Sequence, residues 1–140
     1  MNVSVQSSPL DFVADISAGR HVLQADEPVS AGGQDAAPSP YELFLAALGA
    51  CKVITLRMYA KRKGWPLRHV QVNLSHARVH ATDCANCADE GSLIEEIDVA
   101  IKLVGELSDE QRRKLLAIAE KCPIHRTMTS PLKIRTHPEP

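Results

Sequence analysis

The spacing of hydrophobic and polar positions changes along this chain, and each change predicts an element. Val3 and Val5 alternate with polar residues, as do Phe12, Ala14 and Ile16. Ser17-Ala18-Gly19 is a turn, after which His21 to Ala25 resumes the alternation. A period of two predicts short strands within residues 1–30. Pro28 to Ala37 holds Gly32-Gly33 and no apolar period, which predicts a loop. From Ser39 to Gly64 the pattern predicts one helix. Ser39 suits the cap, Pro40 the first helical position, and Glu42 completes a capping box. Lys61, Arg62 and Lys63 give a cationic last turn that suits the negative helix end, and Gly64 closes it. No charge occurs from Leu43 to Ala50, so this helix is expected to be buried all round, as a core helix. The uncharged run stops at Lys52, short of the ~20 residues a bilayer needs, so no membrane span is expected.

Trp65-Pro66 breaks the helix, because Pro66 cannot extend it. Val70, Val72 and Leu74 then alternate with polar neighbours, and the period continues through His76, Arg78 and His80, predicting a strand over 68–81. Asp83 to Ser92 is a polar turn. Leu93 to Val104, with Ile97, Val99, Ile101 and Leu103 on one face, predicts the second strand of an antiparallel hairpin. Ser108-Asp109-Glu110-Gln111 is another capping box, and it opens a helix whose apolar face holds Leu115, Leu116, Ile118 and Ala119. That helix is expected to reach Cys122 and yield at Pro123. Pro123 suits the first position of a further short helix through Met128, with Cys122 as its cap. Leu132, Ile134 and Thr136 predict a last strand. No repeat or linker interrupts the chain, so residues 1–140 are expected to form one α+β domain, with helices against antiparallel sheet.

Composition narrows the function classes. The chain is 44% hydrophobic and 24% charged, which argues against wholesale disorder. Aromatic residues are 4%, so aliphatic side chains must fill the core. A net charge of -1 gives no footprint for nucleic acid. The first residues lack a basic segment followed by an apolar run, so a cytoplasmic, reducing setting is expected. There, cysteines are more often catalytic or metal-binding than structural disulfides. Nothing matches a phosphate loop, a serine triad or a paired-carboxylate hydrolase.

The candidate chemistry is therefore sulfur chemistry. Cys51 and Cys122 both sit in helical, apolar contexts, where burial raises a thiol pKa unless a cation or helix N-terminus favours the thiolate. From spacing alone both could be small core hydrophobes. Lys52 adjoins Cys51 in sequence, and Arg20, Arg57 and Arg126 are cations that the fold could bring to it.

The run Ser39-Pro40-Tyr41-Glu42-Leu43-Phe44-Leu45-Ala46-Ala47-Leu48-Gly49-Ala50-Cys51, with Cys122-Pro123-Ile124-His125-Arg126-Thr127, resembles the OsmC/Ohr family of thiol-dependent hydroperoxide reductases. Asp26-Glu27-Pro28 and Gly32-Gly33 fit an OsmC-like branch. The resemblance implies an interleaved α+β homodimer with long helices at its centre and a site at the subunit interface. It implies no bound organic cofactor. It also implies that Cys51 attacks an organic hydroperoxide, that Cys122 resolves the product as a disulfide, and that an external dithiol of the thioredoxin or lipoyl kind restores both thiols. Where the Ohr branch has a carboxylate after the proline, Tyr41 stands here and Glu42 follows, about 100° further round the helix. Glu42 is thus a candidate activating carboxylate, or simply the capping partner of Ser39. Arg20 is a candidate activating guanidinium, or a surface charge at a turn.

A rival reading keeps the fold without the turnover, as a binding or redox- or metal-sensing module with a hydrophobic interface pocket. It draws on Cys84-Ala85-Asn86-Cys87, whose spacing suits a metal knuckle, a regulatory disulfide or two idle thiols. Neighbouring Asp83, Asp89 and Glu90 disfavour a thiolate there. His76, Arg78 and His80 are expected to form a solvated face, and His125 is a surface histidine or a base toward Cys122.

Overall fold

A computed structural model of the chain describes residues 1–80 and 93–140. Cys84 and Cys87 lie outside the described residues. The chain divides into two compact units, residues 1–46 and 47–140, with the boundary inside the long helix.

The first unit carries an antiparallel sheet in the order β1 (Val3–Ser7), β2 (Ala14–Ala18), β3 (His21–Ala25). Alternation sets its register: Val5 faces Ile16, and Ile16 faces Leu23. Gly19, at φ +62°, supplies the left-handed turn between β2 and β3. After the sheet, Asp26 organises the loop that leads into the long helix. It is buried, and its carboxylate accepts the backbone N–H groups of Glu27 (2.8 Å), Gln34 (3.1 Å) and Ala36 (3.1 Å). Gly33 belongs to the same clasp, since a Cβ there would lie 1.9 Å from the Glu27 carbonyl oxygen.

The amides of Ala36 and then Glu27 hold the Asp26 carboxyl below the usual carboxylate range. A lowered folded pKa contributes stability above the unfolded value, about 3.9, and that stability is lost as pH falls through the folded value. Asp26→Asn should therefore melt below wild type at neutral pH, with the gap closing as pH drops below about 4. A gap that stays constant across thermal melts in that range would remove this role.

The long helix α1 spans Pro40–Lys63. Its predicted capping box is formed: Ser39 Oγ accepts from the Glu42 N–H (3.3 Å), and Glu42 Oε2 accepts from the Ser39 N–H (2.7 Å). The second unit adds the hairpin β4 (Leu67–His80) and β5 (Leu93–Gly105), then α2 (Asp109–Ala119) and α3 (Pro123–Thr129). Val70 faces Leu103, Val72 faces Ile101 and Leu74 faces Val99. The core joins Leu56 and Ala60 of α1, Leu67 and Val70 of β4, and Leu115 and Ala119 of α2. Ser108 caps α2 with Gln111 as its reciprocal partner, as expected. Gly49 lets α1 lie close over β4, since a Cβ there would come within 2.8 Å of Leu74 Cδ1.

Several expectations are corrected. α1 is not buried all round. Its buried residues Leu48, Gly49, Lys52, Leu56 and Ala60 form one stripe, in which Leu48, Lys52, Leu56 and Ala60 recur every fourth residue. Phe44, Ile54 and Met58 are exposed. By length and composition α1 is long and apolar enough to cross a bilayer, contrary to the expectation from its short uncharged run. Instead, the Lys52 charge at its middle is buried among protein groups. α2 ends at Ala119 rather than reaching Cys122. Cys122 precedes Pro123 and adopts extended backbone (φ -62°, ψ 143°), as the proline ring requires. Leu116 is exposed, off the buried face of α2. Residues 131–140 form no strand, since a strand needs a paired edge and none of the described strands pairs with them.

Candidate functional site

α1 and α3 bring Cys51 and Cys122 together. Cys51 sits midway along α1, half-buried, and Cys122 is fully buried as the N-cap of α3. Both thiols are free. Their sulfurs are held by consecutive amides of the first turn of α3. The Ile124 N–H donates to Cys51 Sγ (3.5 Å) and the His125 N–H donates to Cys122 Sγ (3.4 Å). These amides have no partner inside a helix, so a sulfur acceptor satisfies them, more strongly as a thiolate. Pro123 at the first helical position fixes the turn that presents them.

Burial pushes the Cys122 thiol above its ordinary pKa. The His125 amide acts in the opposite direction, neighbouring Cys51 raises it further, and the charge of Lys52 lowers it. Cys122 is thus a protonated thiol near neutral pH, with opposing groups arranged to favour its ionisation.

Lys52 was legible only as a charge next to Cys51. It is 0% exposed. Its Nζ donates to the Ala119 carbonyl (2.9 Å) and to His125 Nδ1 (3.0 Å), and lies 3.6 Å from Glu120 Oε1. His125 Nε2 lies 3.5 Å from Glu120 Oε2. With an ammonium donating to Nδ1, the ring proton belongs on Nε2, facing Glu120. The contact residue 125 makes with Cys122 is through its backbone N–H. The sequence signal for Lys52 was its place in the four-residue row of α1, where a lone charge interrupts apolar residues.

The arginines are distributed differently. Arg57 donates to the carbonyls of Leu67 (2.8 Å) and Arg68 (3.0 Å), beside an irregularity in the β4 register. Arg126 is exposed on α3. Arg20 is exposed at the β2–β3 turn, in the 1–46 unit, and Glu42 of the same unit makes the capping box with Ser39. On the hairpin, the expected solvated face is an ion-pair cluster. Glu95 accepts from Arg78 Nε (2.7 Å) and contacts His76 Nε2, and Arg78 first, then His76, holds its carboxyl below the usual range. Among the described residues no group of three or more metal-ligating side chains converges.

A family model described as OsmC-like protein matches residues 32–137. No curated protein matches the chain. Among solved structures, an OsmC-like protein from Mycoplasma pneumoniae superposes with a TM-score of 0.71 at 18% identity, covering 91% of this chain and 85% of that one. An organic hydroperoxide resistance protein OsmC from Legionella pneumophila gives 0.64 at 19% identity, covering 91% and 88%. The organic hydroperoxide resistance protein OhrB of Bacillus subtilis gives 0.59 at 17% identity, covering 91% and 89%. Identities this low show a shared α+β fold.

Proposed function

This chain belongs to the OsmC-like protein family, and on that premise we propose that it reduces organic hydroperoxides to alcohols through its two paired thiols. The observation that supports this reading most is the meeting of Cys51 and Cys122 under adjacent amides of one turn. The Cys51 thiolate attacks the distal peroxide oxygen. The O–O bond breaks, the alkoxide takes a proton and leaves as alcohol, and Cys51 becomes a sulfenic acid. Cys122 then displaces hydroxide to give a disulfide, which an external dithiol of the thioredoxin or lipoyl kind reduces. A half-buried attacking thiol and a fully buried second thiol suit this division of labour. Arg20 and Glu42 are the candidates for the groups that activate Cys51, although Tyr41 stands where the family carries its carboxylate and Glu42 caps α1 with Ser39.

The working unit in this reading is a cytoplasmic homodimer. Phe44, Ile54 and Met58 leave apolar area on α1 uncovered in the single chain, and a second copy would cover it. Sedimentation at the mass of one 15.3 kDa chain would exclude that assembly. The chemistry is tested by supplying cumene hydroperoxide and dithiothreitol. Wild type should turn over. Cys122→Ser should stop after one oxidation per chain, with a Cys51 sulfenic acid that dimedone traps. A Cys122→Ser protein that turns over at the wild-type rate would reject the disulfide route.

A further inference from the structure

A buried ammonium is costly unless hydrogen-bond acceptors and an opposite charge surround it. Lys52 Nζ has two hydrogen-bond acceptors, the Ala119 carbonyl (2.9 Å) and His125 Nδ1 (3.0 Å), and an ion-pair partner in Glu120 Oε1 at 3.6 Å. Those acceptors lie on both sides of Cys122 in the chain. The Ala119 carbonyl oxygen that takes Lys52 Nζ also accepts the Cys122 backbone N–H (3.4 Å). On the other side, the residue whose ring takes Nζ gives its own N–H to Cys122 Sγ. The ammonium therefore closes the turn 119–125 like a clasp, from the position next to Cys51.

We propose that Lys52 is a positioning residue for the thiol pair, fixing the turn that carries Cys122 and supplying the positive charge that favours its thiolate during disulfide formation. The proposal rests on the peroxidase reading and deepens it. In the step concerned, an S–S bond forms between Cys122 and Cys51 and the S–O bond of the Cys51 sulfenic acid breaks. The Cys122 sulfur is oxidised and the Cys51 sulfur reduced. Hydroxide leaves with the proton that Cys122 gives up, as water. Among the described residues of the 47–140 unit, the ionisable groups around this step are Cys51 and Lys52 from α1, Glu120 from the turn after α2, and Cys122 and His125 from α3. Glu120 is 64% exposed, so water weakens its pull on the fully buried Lys52 charge, but at 3.6 Å it remains the competing anion.

A purely structural tie between α1 and the end of α2 would not alter the acidity of Cys122, so thiol titration separates the two roles. In a Cys51→Ser background, alkylation of Cys122 is followed peptide by peptide by mass spectrometry over a pH series. Lys52→Met should slow it about tenfold at mildly alkaline pH, equivalent to a pKa rise of about one unit. Lys52→Arg should stay close to the Lys52 protein. Glu120→Gln should accelerate it, because the ammonium loses a competing anion. With Cys51 intact, one equivalent of hydroperoxide should leave the sulfenic acid about tenfold longer-lived in Lys52→Met. A folded Lys52→Met protein with an unchanged Cys122 profile overturns the proposal. If Lys52→Met does not fold, an unchanged or slower profile in Glu120→Gln overturns it. If wild type forms no sulfenic acid at all, the peroxidase reading falls, while the alkylation profiles still decide whether Lys52 sets the acidity of Cys122.

Discussion

Replacing Cys51 by serine should lower hydroperoxide turnover by about a thousandfold or more, the scale on which a removed nucleophile registers. The substitution changes one atom and leaves a group of nearly the same size, so packing around α1 is preserved. What changes is the nucleophile: a hydroxyl does not ionise in the range open to a thiol and does not attack peroxide oxygen. The Ile124 N–H would still find an oxygen acceptor in place of Sγ. The thermal midpoint should thus stay near wild type while cumene hydroperoxide consumption with dithiothreitol disappears. Activity within tenfold of wild type would remove Cys51 from the mechanism and, with it, the role given to Cys122.

The second large effect is on stability. Leu56 is 0% exposed and sits in the cluster that joins α1, β4 and α2. Leu56→Ala removes buried methyl groups and leaves a cavity, at a cost of about 2–5 kcal/mol. Against a total stability of about 5–15 kcal/mol, that is a large share. Urea titration should show a lower midpoint with an unchanged slope. Two residues earlier, Ile54 is 57% exposed in the single chain, so a polar residue there should act on assembly rather than on this core. A loss below about 1 kcal/mol for Leu56→Ala would mean that the core closes elsewhere.

Much of the fold was legible because local signals and the final structure agree. The period-2 runs became β1 to β5, and the capping boxes at Ser39 and Ser108 formed as written. Pro123 and Cys122 opened α3 as their residue types dictate. What failed was inference that needs tertiary knowledge. An uncharged run in α1 says nothing about how many surfaces are available to cover it, so Phe44 and Met58 stay outside. Leu132 and Ile134 carry a strand pattern, but a pattern cannot supply a neighbouring edge. In the site, the two cysteines were legible from their motifs. Lys52 and Glu120 were not, because their meaning lies in acceptors far away in the chain.

The stripe on α1 also carries a consequence for how the protein is made. During synthesis Lys52 leaves the ribosome long before Ala119, Glu120 and His125 exist to surround it. Until then its ammonium must remain in water, and α1 cannot settle on its final face. The nascent chain is thus prevented from maturing by halves. Cys51 and Cys122 are brought under the adjacent amides of α3 only when the last third of the polypeptide docks.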